Sequence, residues 1–241
     1  MNNKTRTISK DTKMSDVILK NHLNILVLER FEIALGFKNK TIEDICKGVI
    51  NIEVFLTILN LYNNSPYTPK SSFGNNDIQQ IIKFLKNSHI YYLEEKYPKI
   101  SSNIELMIKK NNNPEIAMVR HFFDEYKNEV IEHIEYENKI GFPYILSLFD
   151  KENTSSDKNE RTYSVNDFKE HHDDIEDKLA DLKNLLIKYL PQKLDKIERR
   201  QILFDLFELE HDLRIHTEIE DTILIPLIER IENDRKNLAR G

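Results

Sequence analysis

Two stretches of this chain carry residues of the types and spacing that hold metal ions. His133-Ile-Glu-Tyr-Glu137-Asn-Lys-Ile-Gly-Phe-Pro143-Tyr-Ile145 and His216-Thr-Glu-Ile-Glu220-Asp-Thr-Ile-Leu-Ile-Pro226-Leu-Ile228 agree at six of 13 positions. The His, the Glu four later and the Pro ten later are among the shared positions. On an α-helix, residues i and i+4 stand one turn apart on one face. Each stretch therefore points an imidazole and a carboxylate at one place. His89 lies 44 residues before His133, and His172 lies 44 residues before His216. The midpoints are residue 111, in the breaker-rich run Asn111 to Asn113, and residue 194, beside Pro191. In an antiparallel hairpin, residues equally far from the turn share a height. His89 is thus expected to face His133 and Glu137, and His172 to face His216 and Glu220. Two such hairpins packed together bring four imidazoles and two carboxylates to one layer. Only His172 keeps the offset; its neighbour His171 points about 100° away.

Imidazole and carboxylate are borderline-to-hard ligands that suit Fe, Mn or Zn, and not Cu(I) or an iron–sulfur cluster. Two carboxylates can each bridge two ions, leaving two His for each ion and coordination positions open. On a non-haem iron pair, open positions admit O₂, NO, oxide or peroxide. Glu137 and Glu220 supply the negative charge that two buried dications require, and an oxide bridge adds to it. A single His-x-x-x-Glu on a helix is usually a solvated pair worth a few tenths of a kcal/mol. The repetition, with matched upstream His and matched turns, is what composition alone does not produce. His22, His121 and His211 fall outside the pattern. Glu208-x-x-His211 has the spacing of ferritin-like bundles, which need that motif on two helices, and it occurs once. Glu135 and Glu218 point away from the ligand face and are expected in solvent. Pro143 and Pro226 are expected to bend each helix just past the site.

Four long helices must position these groups: about 77–107, 114–149, 164–190 and 195–233. Pro114 suits a first helical turn, Ser164 or Asn166 a cap, and Pro191 a break. Asn63 to Asn76 and Asp150 to Tyr163 are rich in breakers and read as loops. The chain thus divides into a small helical unit over 1–64, a linker over 65–76 and a four-helix bundle over 77–241. In the small unit, Met14, Val17, Ile18 and Leu26 to Phe31 are apolar at helical spacing, with Gly36 expected to end that helix. Thr41-Ile-Glu-Asp44 signals a capped start, and Glu53 to Leu61 a third helix. Some 50 residues make a marginal core, so this unit is expected to lean on the larger one or on a second copy.

Composition agrees and excludes alternatives. The 241 residues include only 5 Gly and 7 Pro, too few for the turns of an all-β fold or a Gly-rich phosphate loop. With 39% hydrophobic residues the chain can build a core, and the fold class is all-α. A net charge of −6 without a basic cluster argues against nucleic acid as partner. No apolar run approaches the roughly 20 residues of a membrane span. The polar start MNNKTRTISKDTK lacks the apolar core of a signal peptide, so a cytoplasmic protein is expected. A single cysteine, Cys46, can form neither an internal disulfide nor an all-Cys metal site.

The doubled H-x-x-x-E-x-x-x-x-x-P layout over about 77–230 resembles hemerythrin-like di-iron bundles. Within them it is similar to the Repair of Iron Centres family, linked to repair of iron–sulfur clusters damaged by nitric oxide or peroxide. That family uses four His and two Glu, whereas oxygen-carrying hemerythrins have a fifth His one turn from the third ligand. Glu176 and Phe168 stand at those places here. The resemblance implies a hemerythrin-like four-helix bundle with two iron ions held by His89, His133, Glu137, His172, His216 and Glu220. It also implies O₂ or NO as small ligands and damaged iron–sulfur proteins as partners. Met14 to Asn60 resembles the family's small N-terminal domain, which usually carries a Cys-Cys pair after the glycine region. Gly36-Phe37-Lys38-Asn39-Lys40 stands there instead, so a docking or homodimerising role is expected rather than thiol chemistry. Two other readings compete: an O₂ or NO sensor or carrier without repair activity, and a helical interaction module without metal.

Overall fold

The computed structural model describes residues 7–64, 67–68, 73–111, 113–149, 163–170, 175–191 and 195–238. Their regular elements are all helical, and the chain is all-α. An isolated bridge pairs Lys13 with Thr41. Four short helices come first: α1 (Met14–Lys20), α2 (Asn24–Arg30), α3 (Ile42–Cys46) and α4 (Ile52–Asn64). Four longer helical runs follow. The first is α5 (Asn75–Tyr91) and α6 (Tyr97–Lys110); the second is α7 (Pro114–Tyr136) and α8 (Phe142–Ser147). The third holds α9 (Val165–Glu170) and α10 (Ile175–Asn184), and the fourth α11 (Lys196–Ile219) and α12 (Ile225–Leu238). The loop expected at Asp150 to Tyr163, save Tyr163 itself, and half of the linker lie outside the described residues.

Local sequence chemistry sets the boundaries. Asn113 caps α7, its side-chain oxygen accepting from the Glu115 N–H at 2.8 Å. Pro114 follows in the first turn, where a missing N–H leaves no bond unmade. Thr41 and Asp44 form a capping box: the Asp44 N–H donates to Thr41 Oγ1 at 3.2 Å and the Thr41 N–H to Asp44 Oδ2 at 3.0 Å. The Thr41 N–H and hydroxyl, both donating to Oδ2, hold the Asp44 carboxyl below its ordinary value. Gly36 does not end a helix. Helix α2 stops at Arg30, and Gly36, at φ 99°, turns the loop that follows. The reason lies at Glu32, whose φ of 59° leaves helical space first.

The prolines expected to bend the helices past the repeated Glu residues each follow a π-helical turn, Glu137–Gly141 or Glu220–Leu224. Two further π turns occupy Tyr92–Lys96 and Leu185–Tyr189. Pro98, Pro143, Pro191 and Pro226 each stand six residues past the first residue of such a turn. A proline lacks the N–H that would bond four residues back, and its ring crowds that carbonyl. One extra residue in the preceding turn relieves both problems.

The chain divides into two compact units. One comprises Ser88–Gly141 and Asn166–Arg214. Its core takes Tyr97, Ile100 and Ile104 from the first run, Phe123 and Tyr126 from the second, Leu179 and Leu182 from the third, and Leu206 and Leu209 from the fourth. Four helical runs thus share one core, which is a four-helix arrangement. Tyr97 packs on Phe123 and Tyr126 with ring centroids 6.2 Å from each. A buried ionic network crosses the same unit. Lys96 Nζ lies 3.3 Å from Asp205 and 2.7 Å from Glu208, and Lys99 Nζ 2.7 Å from Asp205.

The other unit comprises Met1–Asn87, Phe142–Val165 and Ile215–Gly241. Phe31 at the end of α2 packs on Phe55 of α4 and Phe84 of α5, at 5.2 and 5.0 Å between centroids. Buried Arg30 donates to the Tyr62 hydroxyl at 2.5 Å and lies over the Phe84 ring. Polar bonds tie the short helices to α5. The Asn51 N–H donates to Gln80 at 2.9 Å, and Asn87 donates to the Arg30 carbonyl at 2.7 Å. In α12, Glu232 accepts from the Tyr144 hydroxyl at 2.6 Å and the Val165 N–H at 2.7 Å.

Candidate metal centre

Glu137 is the hub of the first half. It is buried, and its two oxygens face different imidazoles. His133 Nε2, one turn earlier on α7, stands 3.0 Å from Oε1, and His89 Nε2 on α5 stands 3.1 Å from Oε2. The pairing of His89 with His133 and Glu137 is the one that equal distance from residue 111 dictates. Burial pushes the Glu137 carboxyl up, but hydrogen bonds from His133 and His89 outweigh it and hold the group well below the usual carboxylate range. The carboxylate is thus ionised.

The second half repeats the local pattern. His216 Nε2 lies 3.5 Å from Glu220 Oε1, and both side chains are buried. His216 and Glu220 thus repeat, within their own unit, the imidazole–carboxylate pair that His133 and Glu137 make in the other. His172 and its neighbour His171 lie outside the described residues.

One partner escaped the reading of the sequence. Asn138 Oδ1 lies 3.1 Å from His89 Nδ1, so the far nitrogen of that imidazole is tied down while Nε2 turns to Glu137. Metal-bound imidazoles are held in this way as a rule. The signal available was weak: Asn138 follows a ligand, and Asp221 takes its place in the second stretch.

The remaining candidates separate from this cluster. His121 is a surface residue 3.4 Å from Glu125. His211 Nδ1 lies 3.1 Å from the Arg214 guanidinium. Glu208, the would-be partner of His211 in a ferritin-like motif, is engaged by Lys96 and by the Tyr91 hydroxyl at 2.8 Å. Glu135 is exposed beside Lys139 at 2.6 Å, as expected. Glu218 differs from expectation: it accepts from the Tyr67 N–H at 3.3 Å, so the linker backbone covers a carboxylate expected in water.

Imidazole nitrogens facing buried carboxylates fit a divalent cation of the Fe, Mn or Zn type. Without one, the same nitrogens meet the carboxylate through protons, which a cation replaces on binding. Comparison with known proteins agrees with the donor set. The hemerythrin HHE cation-binding domain model matches residues 80–228, more than half of the chain and a span containing every candidate ligand. No curated protein matches the chain. The chain belongs to the hemerythrin HHE cation-binding domain family.

Proposed function

We propose that this chain is a non-haem di-iron protein of the Repair of Iron Centres type. His89, His133, Glu137, His172, His216 and Glu220 hold two iron ions, and the protein serves iron–sulfur proteins damaged by nitrosative or oxidative stress in the cytoplasm. The observation that carries the proposal is Glu137 with an imidazole on each oxygen, together with the repeat of its His-x-x-x-Glu unit at His216 and Glu220. Four imidazoles and two carboxylates would leave iron with open positions, and iron so held would supply reactivity toward O₂ and NO. In the donor form of the activity, iron is cargo. The two carboxylates neutralise part of its charge in a dry layer, the imidazoles fix its place, and reprotonation of the ligands favours release. The test is recovery of a cluster enzyme inactivated by NO or peroxide. Incubation with iron-loaded protein restores activity and depletes the donor of iron; no recovery, with iron retained, contradicts the proposal.

One observation favours a second reading, a sensor or carrier of O₂ or NO. The N-terminal helices hold a single cysteine, Cys46, whose thiol burial pushes up to about 12. A protonated, buried thiol is a poor nucleophile, so this region is suited to docking rather than to thiol chemistry. Reversible O₂ or NO binding with no iron passed to a chelator selects the sensor.

A further inference from the structure

The repeated stretches share a third residue that no ligand role uses: Pro143 and Pro226, each ten residues past its His. Each follows a π turn whose first residue is the repeated Glu, Glu137 or Glu220. The same offset recurs at Pro98 and Pro191, so the pairing of proline and π turn holds at four separate places.

The added residue has a definite effect on side-chain direction. In an unbroken α-helix at about 100° per residue, Phe142 would stand about 140° and Ile145 about 80° from Glu137 around the axis. Both are fully buried, as is Glu137, and angles that wide would place them on different faces. One extra residue in the turn subtracts about 100°, bringing them to about 40° and 20° from the carboxylate. The second stretch gives the same result, because buried Ile225 and Ile228 stand five and eight residues past Glu220. In the first stretch the insertion brings the ligand and the apolar residues beyond it onto one face; in the second, where Leu227 is buried beside Ile228, the apolar face is broader.

We infer that Pro143 and Pro226 are positioning residues for the metal centre: each enforces the π turn that keeps Glu137 or Glu220 in phase with the buried face of its own helix. The inference rests on the metal-site reading for its consequence, though not for its geometry. Alanine in place of either proline restores an N–H donor and removes the ring, so an unbroken α-helix becomes available and the Glu rotates off the buried face. Loss of ligand orientation typically weakens metal binding by about 10–100-fold.

The test compares P143A, P226A and the double variant with wild type and with P191A. The π turn before Pro191 carries none of the six ligands, which makes P191A the control. The readouts are iron bound per chain, the rate of iron loss to a ferrous chelator, and thermal unfolding of the metal-free proteins. Expected are iron loss at least tenfold faster in P143A and P226A, unchanged iron loss in P191A, and metal-free P143A and P226A no less stable than wild type. Iron retention equal to wild type in both ligand-stretch variants overturns the proposal, as does retention that merely tracks the stability of the metal-free protein. A crystal structure of metal-free P143A supplies an arm independent of metal: a straightened helix supports the assignment, and a retained π turn overturns it. Wild type that binds no iron, with a straightened P143A helix, removes the metal-site reading alone.

Discussion

Replacing Asn138 probes the centre without touching a ligand. Its side-chain oxygen takes the Nδ1–H of His89 at 3.1 Å, which commits Nε2 to the Glu137 side. Asn138→Leu keeps the volume and removes the acceptor. The imidazole then loses a hydrogen bond worth about 1 kcal/mol, and a half-buried Nδ1–H left unmet adds about 1–2 kcal/mol. Freedom of the ring to rotate acts in the same direction. Together these terms come to about 2–3 kcal/mol, which corresponds to roughly a 30–150-fold loss of metal affinity. Asn138→Asp keeps an acceptor and makes it anionic, so it retains wild-type affinity or exceeds it. The assay is competition for Fe(II) or Zn(II) against a chromophoric chelator, with thermal unfolding of each metal-free variant alongside. Asn138→Leu binding within about twofold of wild type refutes the claim that this contact orients His89.

Other predictions concern the scaffold and its titration. Leu206→Ala opens a cavity in the four-helix core and costs about 2–5 kcal/mol by denaturant unfolding. Lys96→Met leaves buried Asp205 with only its more exposed partners and lowers stability by about 3 kcal/mol on the same assay. Cys46, its folded thiol raised by burial to about 12, contributes stability that is complete below the ordinary thiol range and is lost as pH rises toward 12. Wild type is therefore expected to lose stability over that alkaline window more steeply than Cys46→Ala, and the folded thiol at neutral pH resists alkylation until denaturant is added.

Much of the site was legible because helices translate sequence distance into spatial phase. The four-residue spacing of His133 and Glu137, and equal distances from residue 111, place His89 beside Glu137, where the structure has it. The cap at Thr41 and the turn ahead of Pro114 were legible for a similar reason: short polar side chains beside a helical start have few other partners. Periodicity fails where the period itself changes. A proline in a helical pattern announces a disturbance, but a kink and a π turn share that signature, and only packing beyond it selects between them. The Lys96 network was hidden for another reason. Lys96, Asp205 and Glu208 are more than 100 residues apart in pairing and read singly as solvated charges. Gly36 misled because Glu32 turned the chain first.

Six side chains holding two cations carry the proposed function, so metal analysis of the purified wild-type protein tests it most directly. About two iron ions per chain, falling below half of that in His133→Ala folded as wild type, is the result expected. A folded wild-type protein that takes up no iron, manganese or zinc, or one whose metal content is unaffected by His133→Ala, contradicts it.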